Sequence, residues 1–230
     1  MGWLSSTLRR PEQRSSPRAA RIPDLATLFV DQPHVEWTGD RPYCCARLTA
    51  DYAKRLEDLA HDRETAIKAL PVDPAWKSIA KRNTTTSRFR AYSTFLLDPV
   101  TLPLFFAVRE TYRHLLAELG EPPAPRFIQS WCNIHRAGQS IVCHAHAYPF
   151  IGTFSAHAEG SFTRYGHKEP SDTDAMIEHV DGLLMVTTGP EHYHETSVWS
   201  DAQRPRVTYA FDIVNVGSWT SEQVFLPFDT

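Results

Sequence analysis

FIQSWCNIHRAGQSIVCHAHAYPFIGTF, residues 127 to 154, is the stretch whose reading decides the fold. Short runs rich in aromatic and β-branched residues alternate with breaks at Gly138 and Pro149, which is the texture of strands and turns. Near its middle stands His144-Ala145-His146. In a strand, residues i and i+2 project to the same face, so both imidazoles can reach one metal ion. Imidazole suits iron, zinc, copper or nickel. In isolation the pattern is as compatible with two hydrogen-bonded or solvated histidines, so its surroundings decide.

Working outward, the same texture continues to the C-terminus. It predicts strands near 127–135, 140–147, 150–156, 161–165, 182–188, 206–214 and 222–227, a spacing that points to a sandwich or barrel. Toward the N-terminus the period changes. Leu48, Tyr52, Leu56 and Leu59 predict a helix from about Ala46 to Leu70, ended by Pro71. Phe105, Val108, Tyr112, Leu115, Leu116 and Leu119 predict a second, from Pro99 or Pro103 to Leu119, stopped by Gly120 and Pro122-Pro123. Phe89 to Leu97 suggests one more strand. Helices first and strands after suit helices packed on one face of a β-sandwich. The organisation read from this is an arm over 1–25 and one domain over 26–230, helical to 125 and β-rich from 126.

The arm carries Arg9, Arg10, Arg14, Arg18 and Arg21 against the single acid Glu12. That composition suits a flexible basic arm or an organelle transit peptide, and the absence of a clean amphipathic period favours the arm. Elsewhere the net charge of −3 gives no basic excess for nucleic acid or anionic membrane. No apolar run approaches the roughly 20 residues of a membrane helix. Cys44, Cys45, Cys132 and Cys143 form neither a CxxC pair nor a zinc-knuckle spacing, so a reducing, cytoplasmic setting is expected.

Downstream comes Gly182-Leu183-Leu184-Met185-Val186, then Gly189-Pro190-Glu191-His192-Tyr193-His194-Glu195, and twelve residues beyond His194 the Arg206-Val207-Thr208 that opens a strand. With Asn133, Gly138, the histidine pair and Gly152-Thr153-Phe154, this order resembles the iron(II)/2-oxoglutarate-dependent oxygenases, in particular their small bacterial members. The resemblance spans roughly residues 127–215. It implies a double-stranded β-helix, or jelly roll, with iron at one open end and 2-oxoglutarate beside it. Position by position, it implies that His144 is the first metal ligand and His194 the distal one. It further implies that Arg206 and Thr208 hold the far carboxylate of 2-oxoglutarate, and that Asn133 helps to hold that cosubstrate. Arg206 and Thr208 are i and i+2 on one strand, and a guanidinium fork fits a carboxylate with two hydrogen bonds.

One position departs from that pattern. The usual triad is His-x-Asp/Glu with a later His, and here the second place holds His146. His146 is the favoured third ligand; it can also be a bystander, or Glu159 or Glu195 can complete the site. His192 competes with His194 for the distal position. Trp131 reads as core, His135 as lying past the rim, and His157, His167 and His179 as surface residues. The expectation is an oxygenase hydroxylating a small molecule or amino acid. The rival is a three-histidine cupin-type enzyme, thiol dioxygenase-like or an isomerase, that uses no 2-oxoglutarate. Arg206-x-Thr208 has a clear task only under the first.

Overall fold

The structure, a computed structural model, describes residues 25–72, 84–166, 175–190, 192–218 and 223–228. The elements in chain order are α1 (Leu25–Leu28), β1 (Phe29–Thr38), β2 (Arg41–Leu48), α2 (Ala50–Ala69), α3 (Leu102–Leu119), β3 (Arg126–His135), β4 (Phe150–His157), β5 (Phe162–Gly166), β6 (Met176–Glu178), β7 (Leu183–Thr188), β8 (Tyr193–Thr196), β9 (Arg206–Asn215) and β10 (Leu226–Phe228). Seven strands form one antiparallel sheet in the order β1-β2-β7-β4-β9-β3-β10, and three form a second, β6-β5-β8. The fold is jelly-roll-like, with the helices against the large sheet.

Strand β9 shows how alternation divides this sheet into two faces. Val207, Tyr209, Phe211 and Ile213 enter the main core with Leu56 of α2 and Tyr112 and Leu115 of α3. Each such fully buried side chain contributes about 1.5–3 kcal/mol. The intervening Arg206, Thr208, Ala210 and Asp212 line a cavity on the opposite face. Their cross-strand neighbours on β3 are His135, Asn133, Trp131 and Gln129. Helix α2 is pinned to this frame where the Tyr209 hydroxyl donates to Leu56 O at 2.6 Å. At the buried Glu57, Arg204 donates from Nε at 2.8 Å and from Nη2 at 2.5 Å.

The structure corrects several expectations. The first part of the domain is not helical throughout, because the β1–β2 hairpin precedes α2 and β2 pairs with β7 inside the large sheet. Leu48 keeps phase with the helix stripe but ends β2, and α2 begins at Ala50. Residues 89–97 form turns and one short 3-10 helix, Thr94–Leu96, rather than a strand. Residues 140–147 form no strand either; His144 alone makes an isolated bridge to His194. The last strand is reduced to Leu226–Phe228. The arm over 1–24, His167 and Glu191 lie outside the described residues, and no described helix is long and apolar enough to cross a membrane.

Candidate active site

The stretch 138–144 runs alongside 194–199 without forming a regular ladder. Gly138 N donates to Trp199 O at 2.8 Å, Thr196 N to Ile141 O at 3.0 Å, and His144 and His194 exchange both backbone bonds at 3.0 and 2.8 Å. Gly189 tightens the other side: a Cβ there would lie 2.0 Å from Tyr148 O, so only glycine lets these segments approach so closely. Together these contacts bring His144 and His146 against His194.

The ligand-capable atoms of His144, His146 and His194 all lie within 4.8 Å of one another. His144 Nδ1 faces Val142 O at 2.9 Å, and a carbonyl can only accept, so Nδ1 carries the proton. His146 Nδ1 donates to Asp212 Oδ1 at 2.6 Å. In the neutral rings each Nε2 therefore presents a lone pair, and these two atoms stand 3.2 Å apart. Two acceptors do not attract each other, so this approach suits a cation between them. Nitrogens bound to one metal at about 2.0–2.2 Å and at right angles would lie about 3 Å apart. The Asp212–His146 contact fixes the tautomer and orientation of that ring, as a carboxylate does for a histidine that binds metal.

The electrostatics match that reading. Burial, then the neighbouring charge of His146, holds the His144 pKa down at about 4. Burial, then His144 and His146, puts His194 well below the usual range. For His146 burial works to lower the pKa, but the charge and hydrogen bond of Asp212 outweigh it and raise it. A ligand nitrogen must be unprotonated, and the lowered rings meet that condition at neutral pH.

Neither acid considered from sequence joins the cluster. Glu195 faces Arg164 at 3.8 Å, and Glu159 is exposed beside Asp181. His192 is also set apart. It is fully buried, with Nε2 bonded to the Tyr43 hydroxyl and Nδ1 to Thr188 O, both at 2.9 Å. Asp212 is the site residue that sequence reasoning missed. Its signal was present, since Asp212 continues the same alternation that pairs Arg206 with Thr208.

Arg206 lies in the same cavity, of about 330 Å³. Its side chain is buried, and Nε and Nη1 have no hydrogen-bond partner among the described residues. Nη2 donates to His179 Nε2 at 3.2 Å. Burial lowers the Arg206 pKa to about 10, so the group stays charged at neutral pH. His179, expected on the surface, is buried. Thr163 Oγ1 donates to the same Nε2 at 2.7 Å, and Nδ1 donates to Ser155 Oγ at 2.8 Å. His135, expected past the rim, is buried opposite Arg206. Burial first, then the charge of Arg206, keeps both imidazoles down at about 3. Both rings are therefore neutral, and the guanidinium has no anionic partner among the described residues.

Asn133 and Thr208 stand side by side next to Arg206. The Asn133 amide donates to Thr208 Oγ1 at 3.3 Å and accepts from Thr86 Oγ1 at 2.7 Å. One of its lone pairs is engaged by Asn133, and the Thr208 hydroxyl proton stays available to donate. Trp131 is buried and also stacks on His146, with centroids 6.2 Å apart and planes 13° apart.

No family model matches the sequence, and no curated protein matches it. In shape the chain is similar to a prolyl-4-hydroxylase from Pseudomonas putida, with 14% identity, a TM-score of 0.50, and coverage of 75% of this chain and 92% of that one. It is also similar to the nickel complex of the non-haem monooxygenase ThoJ, with 13% identity, a TM-score of 0.50, and coverage of 80% and 78%. At such identities the likeness is one of fold: this chain has the fold that those two proteins share.

Proposed function

We propose that this chain is an iron(II)- and 2-oxoglutarate-dependent oxygenase acting on a small molecule. His144, His146 and His194 would hold the iron, and Arg206, Thr208 and Asn133 the cosubstrate. The observation that carries the reading is the buried Arg206 guanidinium, with two unpartnered nitrogens, in the same cavity as three convergent histidines. An uncompensated buried charge is costly, and a carboxylate fits its planar fork with two hydrogen bonds.

When bound, iron and 2-oxoglutarate supply oxidation of a C–H bond by dioxygen, with carbon dioxide and succinate as the coproducts. The chain's own residues do the rest. Asp212 holds His146 in the tautomer that leaves Nε2 unprotonated. His179 accepts from Arg206, and Thr208 keeps a hydroxyl proton for a carboxylate. Apolar walls from Trp131, Ile151 and Ala210 exclude water.

The neutral ligand set favours a second reading, a three-histidine cupin-type enzyme that uses no 2-oxoglutarate. The deciding experiment adds 2-oxoglutarate to the anaerobic iron(II) protein and follows the weak visible charge-transfer band. Its appearance is expected, and iron binding without any such band would leave the cupin-type reading as the better account.

A further inference from the structure

His192 holds no place in the histidine triad, but its surroundings give it another task. It stands two residues before His194, so extended chain turns both rings to the same side. The β5–β8 register sets Tyr165 directly opposite His194. The Tyr165 ring meets both histidines, with its centroid 5.3 Å from that of His194 and 4.7 Å from that of His192. Behind it lies Tyr43 of β2, edge-on at 5.5 Å. Tyr165 lines the cavity, whereas Tyr43 and His192 are buried behind it. Ring contacts thus run unbroken from a candidate metal ligand to Tyr43.

The two phenols are not equivalent. The Tyr165 hydroxyl faces the Met185 sulfur at 3.9 Å, a weak acceptor, and feels the charge of Arg206. The Tyr43 hydroxyl meets His192 Nε2 at 2.9 Å. His192 Nδ1 donates to Thr188 O, so in the neutral ring Nε2 accepts and Tyr43 donates. Removing an electron from a phenol makes its proton strongly acidic, and a radical cation is costly in a low-dielectric interior. A base within hydrogen-bond reach takes that proton as the electron leaves. Tyr43 has such a base. At Tyr165 the nearby guanidinium opposes any added positive charge.

We propose that Tyr43, hydrogen-bonded to His192, is a redox-active tyrosine that gives an electron through the Tyr165 ring to the metal centre when oxygen reacts there without a second substrate. Tyr43 loses one electron to the iron, its O–H bond breaks, and the proton forms an N–H bond at His192 Nε2. A neutral tyrosyl radical and an imidazolium result. Dioxygen, the oxidant, takes four electrons: two from 2-oxoglutarate, one from iron(II) and one from Tyr43. One oxygen atom enters succinate as carbon dioxide leaves, and the other becomes water with two protons from solvent. The oxidising equivalent then rests on Tyr43 instead of attacking the ligand rings. The proposal rests on the oxygenase reading for its oxidant, while the Tyr43–His192 pair and its ring path stand apart from it.

The test mixes the iron(II)-loaded chain with oxidant in the absence of a second substrate, freeze-quenches it and records its electron paramagnetic resonance. One arm uses dioxygen with 2-oxoglutarate, and the other hydrogen peroxide, which needs no cosubstrate. A tyrosyl radical is expected in both, with a spectrum that narrows when the chain is made with ring-deuterated tyrosine. Tyr43→Phe should lose the signal while iron binding is kept. Tyr165→Phe, which keeps the ring, should retain the signal, and Tyr165→Leu should slow its appearance and lower its yield. A signal that survives Tyr43→Phe, one lost in Tyr165→Phe, or one indifferent to Tyr165→Leu would overturn the proposal. So would the absence of a tyrosyl radical with either oxidant in iron-bearing protein. A radical on Tyr43 with peroxide but not with dioxygen and 2-oxoglutarate would sink the oxygenase reading and leave the redox-active tyrosine standing. A chain that holds no iron would defeat both.

Discussion

The two ends of the cavity reach their geometry by different means. Arg206, Thr208 and Asp212 sit on β9, a ten-residue strand paired along its length with β3 and along most of it with β4. Its regular pleat sets their direction. His144 and His146 sit on irregular chain, held by two backbone bonds to His194, by Val142 and by Asp212. The anion end is therefore pre-organised by the sheet. The histidine end depends on a few hydrogen bonds and on the charge it encloses. Variants should separate the ends: changes at the histidines should act on metal, and changes near Arg206 should act on 2-oxoglutarate.

The largest effect should come from His144→Ala and His194→Ala. Each removes one of three converging nitrogens, so iron should fall from one per chain to nearly none in anaerobic equilibrium dialysis. The loss should exceed the roughly 10–100-fold that an outer partner costs. His192→Ala should keep the metal. Its own cost is stability, since Tyr43 and Thr188 each lose a buried partner. Metal lost in His192→Ala and kept in His194→Ala would exchange their roles.

Next comes Asp212→Asn, which bridges the comparison because the residue stands on the rigid strand and serves the irregular segment. The amide keeps the shape but loses the charge that raises the His146 pKa. Iron affinity should fall about 10–100-fold, with 2-oxoglutarate affinity at saturating iron little changed. Unaltered iron affinity would make His146 a bystander.

Arg206→Ala is the mirror experiment. Removing one partner of a buried charge pair costs about 2–5 kcal/mol, so 2-oxoglutarate affinity should fall roughly 30-fold or more at equal iron loading. Arg206→Lys should recover only part, because a point charge cannot reproduce the fork. Iron affinity should stay within about twofold, since the group supplies no ligand atom. Equal 2-oxoglutarate affinity in wild type and Arg206→Ala would remove the main support for that cosubstrate.

The same contrast governs what could be read from sequence. Strands β3, β4, β5, β7 and β9 follow from β-branched and aromatic runs set between turn residues, and β9 even carried the unread sign of Asp212. The β1–β2 hairpin was missed because β2, Arg41–Leu48, holds no β-branched residue, and its buried Tyr43, Cys44, Cys45 and Ala46 show no polar alternation either. Leu48 then continued the phase of Tyr52 and Leu56 and drew the helix backward across Thr49. The stretch 84–88 was opaque for another reason. It buries Thr84, Thr85, Thr86, Ser87 and Arg88, and Thr85 and Thr86 meet residues of β3 far along the chain. Thr85 Oγ1, for example, accepts from Ile134 N. His179 failed likewise, because Ser155, Thr163 and Arg206 meet it only after folding.

His179 supplies the smallest effect and the finest test of the anion end. His179→Leu keeps similar bulk but removes the acceptor for Arg206 Nη2 and the partner of Ser155 and Thr163. A bond with an ionised donor contributes about 1.5–3 kcal/mol, but His179 only orients the guanidinium and the loss is shared, so 2-oxoglutarate affinity should fall about twofold to tenfold, with iron unaffected. The loosened hydroxyls should also lower stability at pH 7. The pH dependence distinguishes a buried neutral imidazole from a merely space-filling one. In the folded chain His179 resists protonation down to about 3, whereas the unfolded chain takes up that proton near 6.5. The unfolded state therefore binds more protons between these values, and stability rises with pH there. Its contribution is complete above about 6.5 and is lost as pH falls toward 3. Urea unfolding of the metal-free chain at pH 7 and pH 5 should show wild type losing more stability than His179→Leu. The difference in slope should approach one proton, about 1.4 kcal/mol per pH unit well below 6.5. Identical slopes would mean that His179 protonates freely in the folded chain and does not stand neutral beside Arg206.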